Sequence, residues 1–228
     1  MLLSVLIPCF NEKNTIEKIV DKINKLENLN LEIIIIDDKS IDGTREILDN
    51  KLQNQVSQII FNEENHGKGY CIKRGIEAAT GDVILIQDAD LEYDPKEYYK
   101  LIKPINEGNA DVVFGSRFIG GDERRILFFW HTIANKLLTL LSNMFTNLNL
   151  TDMETCYKVF KKDLMKGIDL KENGFGFDPE ITAKIAKQKP KIYEVGISYF
   201  GRTYEEGKKM NLKDAFIVLK CIIIYNLF

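Results

Sequence analysis

Apolar residues come along this chain in short unbroken runs, and between the runs lie stretches of helical spacing. Residues 33–36 are four isoleucines and residues 83–86 read Val-Ile-Leu-Ile. Runs of β-branched residues without polar alternation predict central strands of a parallel sheet, buried on both faces. Further strands are predicted over 3–8, 56–61, 111–115, 155–160 and 191–195, and helices over 14–26, 42–52, 69–79 and 177–187. Another helix opens at Asp94-Pro95, where the missing N–H of proline costs nothing. Strand and helix alternate as in a doubly wound α/β sheet, mostly parallel and flanked by helices. The alternation loosens after residue 121, so the first half reads as a nucleotide-binding unit and the second as its acceptor side, within one domain spanning 1–228.

Both apolar runs break off at acids: the first at Asp37-Asp38, the second at Gln87-Asp88-Ala89-Asp90. Ligands of open α/β sheets sit beyond the carboxyl ends of the strands, so all four carboxylates are expected in one crevice. Like charges that close need a cation. Oxygen ligands suit Mg²⁺ or Mn²⁺, which bind through one or two carboxylates plus substrate phosphates, and the implied ligand is a diphosphate. Asp88, Asp90 and Glu92 alternate, so an extended backbone would point them the same way.

Two segments stand apart from the α/β pattern. Residues 126–150 carry only His131 and Lys136 as chargeable groups, with Thr, Asn and Ser recurring at helical spacing. They read as an amphipathic helix forming a structural or dimer face, with a bilayer-interface helix as the alternative. Residues 215–228 are apolar but short and are interrupted by Lys220, below the roughly 20 residues a spanning helix needs. Contact with a membrane surface is compatible with both segments.

Composition narrows the class. A chain of 228 residues, 45% hydrophobic and 29% charged, can bury a full core, which excludes a disordered protein. Its net charge of -3 gives no footing for nucleic-acid binding. Cys9, Cys71, Cys156 and Cys221 have no metal or redox spacing and read as reduced core thiols. Residues 3–8 run straight into a strand without a basic or signal-length apolar region, so the expected location is cytoplasmic, with the inner membrane face as a peripheral variant.

The ordered motifs are Pro8-Cys9-Phe10-Asn11-Glu12, Asp37-Asp38-Lys39-Ser40-Ile41-Asp42-Gly43-Thr44, Asn65-His66-Gly67-Lys68-Gly69, Asp88-Ala89-Asp90-Leu91-Glu92 and Gly115-Ser116-Arg117-Phe118. This series resembles the family-2 glycosyltransferases of the GT-A fold, a Rossmann-like nucleotide-binding architecture, over at least residues 3–121. Within the family, Thr151-Asp152-Met153-Glu154-Thr155-Cys156-Tyr157-Lys158 and Arg202 followed by Gly207-Lys208-Lys209 are similar to the dolichyl- and polyprenyl-phosphate mannose and glucose synthases. Those synthases usually carry Gly and Arg where this chain has Cys156 and Lys158.

The resemblance implies a metal-dependent, inverting transfer of a hexose from a GDP- or UDP-sugar to a polyprenyl phosphate. It implies that Pro8, Phe10, Glu12, Ile36, Asp37, Asp38, Lys68, Asp88, Ala89, Asp90, Arg117, Arg202 and Lys208 bind the nucleotide sugar. Asp88, Asp90 and Glu92 would hold the metal, and Asp90, Asp152, Arg117 and Arg202 would act in catalysis. On residue chemistry alone, one of Asp37 and Asp38 could instead cap the next loop, and Asp42-Gly43-Thr44 reads as a turn and helix start. An acceptor phosphate needs no base, whereas a glycan hydroxyl would need Asp152 or Glu154 to take its proton. A non-catalytic nucleotide-sugar-binding protein is the remaining reading. A sugar nucleotidyltransferase would open on a glycine- and arginine-rich loop, which residues 3–12 lack.

Overall fold

The two isoleucine- and valine-rich runs become β2 (Asn30–Asp37) and β4 (Val83–Ile86), and β1 (Leu2–Cys9) lies between them, parallel to both. Ile33 to Ile36 and Val83 to Ile86 are all buried, as strands covered by helices on both faces must be. The computed structural model describes residues 1–120, 123–126, 128–203, 205–206 and 212–227. The remaining strands are β3 (Gln58–Phe61), β5 (Val112–Ser116), β6 (Lys158–Lys161) and β7 (Ile192–Gly196), and the sheet order is β3-β2-β1-β4-β6-β5-β7. One sheet therefore joins both halves of the sequence.

Most pairings are parallel, as expected. β6 is the exception and runs antiparallel to both β4 and β5. Its direction has a consequence for the site, because the residues that lead into β6 reach the edge where β4 and β5 end. The strand order also reverses beside β1, with β2 and β3 on one side and β4 on the other, and crevices form at such switch points.

The helices follow the periodicity of the sequence. They are α1 (Ile16–Asn24), α2 (Thr44–Ile47), α3 (Lys68–Ala78), α4 (Tyr98–Asn106), α5 (Phe129–Thr146), α6 (Phe177–Lys187) and α7 (Leu212–Leu227). α1 buries Ile16, Ile19, Val20 and Ile23, the i, i+3, i+4, i+7 stripe of an amphipathic helix. α2 starts where Thr44 N–H and Oγ1 bond to Asp42, confirming Asp42-Gly43-Thr44 as a turn and helix start. It then widens into a π-helical turn over Leu48–Leu52. The Asp94 carboxylate caps the 3₁₀ turn before α4 by accepting from Lys96 N–H at 3.0 Å.

α5 is shorter than the predicted 126–150. It packs with α7 through a separate small cluster of Leu138, Met153, Val218 and Ile222. Its outer face, with Trp130 76% exposed and Leu137 and Met144 also open, is uncovered, so Trp130 does not pack in the core. No helix of the described residues is long and apolar enough to cross a membrane. All four cysteines are free and buried.

Candidate active site

At the carboxyl ends of β1 and β4 lies a cavity of about 490 Å³, lined from both halves of the chain. That volume suits a small-molecule ligand. Pro8 near the end of β1, with Phe10 and Glu12 just after it, forms one wall. Their loop is clamped from α2: Glu12 N–H donates to Thr44 Oγ1 at 3.0 Å and Lys13 N–H to Asp42 Oδ2 at 3.2 Å. The 43–44 turn thereby fixes the loop that presents Phe10 and Glu12.

The neighbouring acids divide. Asp38 lines the cavity, but its carboxylate is largely committed, accepting from Asn62 Nδ2 at 2.8 Å, His66 N–H at 3.0 Å and Gly67 N–H at 2.6 Å. It is the loop cap allowed for in the sequence, and it anchors residues 65–67 ahead of Lys68. Asp37 does not reach the cavity lining. It is fully buried, with Oδ2 2.6 Å from Arg45 Nε and bonded to Ser40 N–H. The expected convergence of four carboxylates is thus corrected to Asp38, Asp88 and Asp90. Ile36, buried in mid-sheet, is likewise absent from the lining.

Gly67 is needed where it stands. Its φ of +102° is in a region that side chains rarely adopt, and a Cβ there would sit 2.7 Å from the Asn173 carbonyl oxygen. The close approach lets the 171–176 loop lie against α3, where Tyr70 N–H donates to Asn173 O at 3.0 Å. That loop carries Phe175 and leads into Asp178 of α6, both on the cavity.

The central acids are met by cations. Lys68 Nζ lies 2.5 Å from Asp88 Oδ1. Burial by itself would lower the lysine, but Asp88 overrides it and holds the ammonium well above its ordinary value. Arg202 binds Asp90 Oδ2 at 2.6 Å and Glu92 Oε1 at 3.0 Å, and lies 3.5 Å from Glu12 Oε2. Burial pushes the Asp90 carboxyl up to about 7, with Asp88 and Glu92 adding to the push and Arg202 opposing it. A carboxylate kept in such a place calls for positive charge.

Residues 89–93 bend, in contrast to the extended backbone expected, yet Asp88, Ala89, Asp90 and Glu92 all line the cavity. Glu92 is turned to the 199–202 segment, accepting from Tyr199 Oη at 2.8 Å and from Arg202 N–H and Nε at 3.0 Å. Among the described residues no group of three or more His, Cys, Asp or Glu side chains is arranged to hold a metal ion. Asp88 and Asp90 remain a fitting pair of oxygen donors for Mg²⁺ or Mn²⁺, which often use only one or two carboxylates, and Glu92 serves to anchor Arg202.

On the β5 side, Arg117 lines the cavity and is gripped from behind. Its Nε and Nη2 each lie 2.7 Å from an oxygen of Asp152, a bidentate pair, and its guanidinium carbon is 5.2 Å from the centre of the Tyr199 ring. Asp152 itself is fully buried and is not among the lining residues, in contrast to the place on the cavity expected of it; its carboxylate is taken up by Arg117. Glu154, two residues on, does line the cavity, and burial followed by the charge of Asp178 pushes its carboxyl up to about 8. Lys158, at the start of β6, is buried and ion-paired with Asp178. Lys208 lies outside the described residues, as do Gly207 and Lys209.

Sequence reasoning did not single out Tyr93, Phe175, Asp178 and Tyr199 as lining residues. Asp178-Pro179 after Gly174-Phe175-Gly176 is a signal for a loop entering a helix at a strand edge. Tyr93 and Tyr199 carry no local signal. Their rings meet 5.2 Å apart only because the segment after β7 folds back over the one after β4.

Comparison with known proteins places the chain in a family and a fold. Residues 4–168 match the family model described as Glycosyl transferase family 2. The chain is 29% identical over 211 residues to the dolichol-phosphate mannosyltransferase of Pyrococcus furiosus, covering 91% of this chain and 59% of that one. Over 206 residues it is 29% identical to the low-salt glycan biosynthesis hexosyltransferase Agl6 of Haloferax volcanii, covering 89% of this chain and 49% of that one. Over 222 residues it is 27% identical to the undecaprenyl-phosphate mannosyltransferase of Micrococcus luteus, covering 91% and 87%. The chain spans only about half to three fifths of the first two relatives. Among solved structures, glucosyl-3-phosphoglycerate synthase of Mycobacterium tuberculosis shares the fold at a TM-score of 0.77 and 18% identity, covering 99% of this chain and 78% of that one.

Proposed function

The chain belongs to glycosyl transferase family 2, and from that premise we propose that it transfers a hexose from a nucleoside-diphosphate sugar to a polyprenyl phosphate with inversion. The observation that carries the reading is the cavity itself. Lys68, Arg117 and Arg202 face Asp88 and Asp90 there, beside a wall of Pro8 and Phe10 suited to a flat base. The relatives that act on dolichol and undecaprenyl phosphates support the acceptor class.

Asp88 and Asp90 are the residues that would hold Mg²⁺ or Mn²⁺. Such an ion supplies charge neutralisation for a leaving diphosphate. Lys68 and Arg202 would take part in the same task from the protein side, as fixed cations where negative charge gathers. Arg117, held by Asp152, would be the cation that receives the acceptor phosphate. That phosphate is already anionic at neutral pH, so no side chain has to accept a proton. Transfer to a glycan hydroxyl is the second reading, and the relative named a glycan hexosyltransferase favours it. It would require a base, and Glu154, which lines the cavity, would be the candidate carboxyl.

Incubation with labelled UDP- and GDP-sugars and a polyprenyl phosphate is expected to put label into the organic phase. Donor consumption without lipid label would move the acceptor to a hydroxyl. A lipid acceptor must be met at a bilayer, and the uncovered apolar residues of α5 and α7, among them Trp130, Met144 and Phe216, would face it. Co-sedimentation with anionic liposomes is the expected result, and complete recovery in the supernatant would remove this contact. A second copy of the chain covering the same residues would instead appear as a dimer in sedimentation.

A further inference from the structure

Around the cavity the charged side chains pair off: Lys68 with Asp88, Arg202 with Asp90, Arg117 with Asp152, and Lys158 with Asp178. Glu154 is left over. Both of its carboxyl oxygens are buried and neither has a hydrogen-bond partner among the described residues, although the side chain lines the cavity. Burying polar oxygens without partners is costly, and a fold that keeps one at a ligand cavity gains if the ligand completes it.

The strand order says which part of a ligand that is. The ends of β1 and β2 and the residues just after them supply the wall of Pro8, Phe10 and Asp38. Residues after β4 supply Asp88 and Asp90, next to Lys68. Glu154 enters beyond them, from the segment leading into the antiparallel β6. Nucleoside, diphosphate and hexose follow one another covalently in the same sequence. With the base over β1 and β2 and the diphosphate beside Lys68 and Arg202, the hexose reaches the β6 side.

We propose that the Glu154 carboxyl reads the transferred sugar: it hydrogen-bonds hydroxyls of the donor hexose and so sets which hexose the cavity accepts. The inference rests on the glycosyltransferase reading and deepens it. Asp152 on the same segment, Asp178 of α6, Lys158 of β6 and Arg117 after β5 are the charged groups around Glu154, and burial followed by Asp178 pushes its carboxyl up to about 8 against the pull of Lys158 and Arg117, which favours the protonated form. A protonated carboxyl offers one donor and an acceptor, the pattern of a sugar hydroxyl pair, and it does not repel the adjacent diphosphate.

The test is calorimetric binding of UDP, GDP, UDP-glucose and GDP-mannose to the full chain with Mg²⁺, comparing the parent with Glu154→Leu and Glu154→Gln. For the base the parent prefers, the sugar nucleotide is expected to bind more tightly than the bare diphosphate. Glu154→Leu should lose that increment, roughly three- to tenfold per hydrogen bond, while its affinity for the bare diphosphate stays unchanged, which also shows that the variant is folded. Glu154→Gln, able to donate and accept, should keep most of it and most of the transfer rate.

Unchanged sugar-nucleotide binding in Glu154→Leu would overturn the inference alone. So would a Glu154→Gln variant that binds normally but has lost transfer, since that is the signature of a base. A parent chain that binds none of the four nucleotides would overturn the glycosyltransferase reading and this inference with it.

Discussion

Asp90→Ala is expected to lower transfer by roughly 10² to 10³ or more, the range seen when one prearranged electrostatic group is removed from a reacting centre. Asp90 sits where burial and its neighbours Asp88 and Glu92 all disfavour its charge, with its carboxyl pushed up to about 7. A group whose folded value lies above its unfolded one is held neutral more strongly by the fold. Stability then falls as pH rises from about 4 toward 7. The metal-free variant should therefore melt no lower than the parent at neutral pH, so loss of transfer cannot be blamed on unfolding. Added Mg²⁺ or Mn²⁺ should raise the melting temperature of the parent and not that of Asp90→Ala. Arg202 occupies Asp90 Oδ2 at 2.6 Å, and a bound ion would compete with it for that oxygen. Transfer that persists in Asp90→Ala within tenfold of the parent would remove Asp90 from the centre of the site.

Much of this site was legible because strand ends and acids coincide in the sequence. The runs at 33–36 and 83–86 mark β2 and β4 without ambiguity, and the position of their acids follows from chain direction alone. What sequence periodicity does not hold is which way a side chain turns once the strand stops. Asp37 and Asp38 are adjacent, yet one is taken inward by Arg45 and the other faces the 65–67 loop. Glu92 shows the same limit: the alternation of three acids was real, but the backbone bends, and Glu92 answers to Tyr199 and Arg202, more than 100 residues away. The direction of β6 was the largest gap. A four-residue strand looks the same read either way, and only its antiparallel pairing puts Glu154 on the cavity with Asp152 behind Arg117.

Asp152→Ala is expected to be the most destabilising of these substitutions. It removes the buried half of a bidentate pair and leaves the Arg117 guanidinium, raised well above its ordinary value chiefly by Asp152 against the opposing effect of burial, without its partner. Breaking such a pair costs about 3 to 5 kcal/mol, which for a chain of this size lowers the melting temperature by roughly 6 to 20 °C. Asp152→Asn keeps the shape and one acceptor oxygen, so it should lose less stability and retain measurable transfer. A double variant, Arg117→Met with Asp152→Leu, separates the two roles, because replacing both partners by apolar groups is often neutral for stability. It should melt near the parent and still transfer poorly, since the acceptor phosphate would have lost its cation. If folded Asp152→Asn were inactive while Arg117→Met remained active, Asp152 would have to take part in the reaction directly. The buried position of its carboxylate, closed off by Arg117 and Asn135 Nδ2 at 3.3 Å, argues for the opposite order.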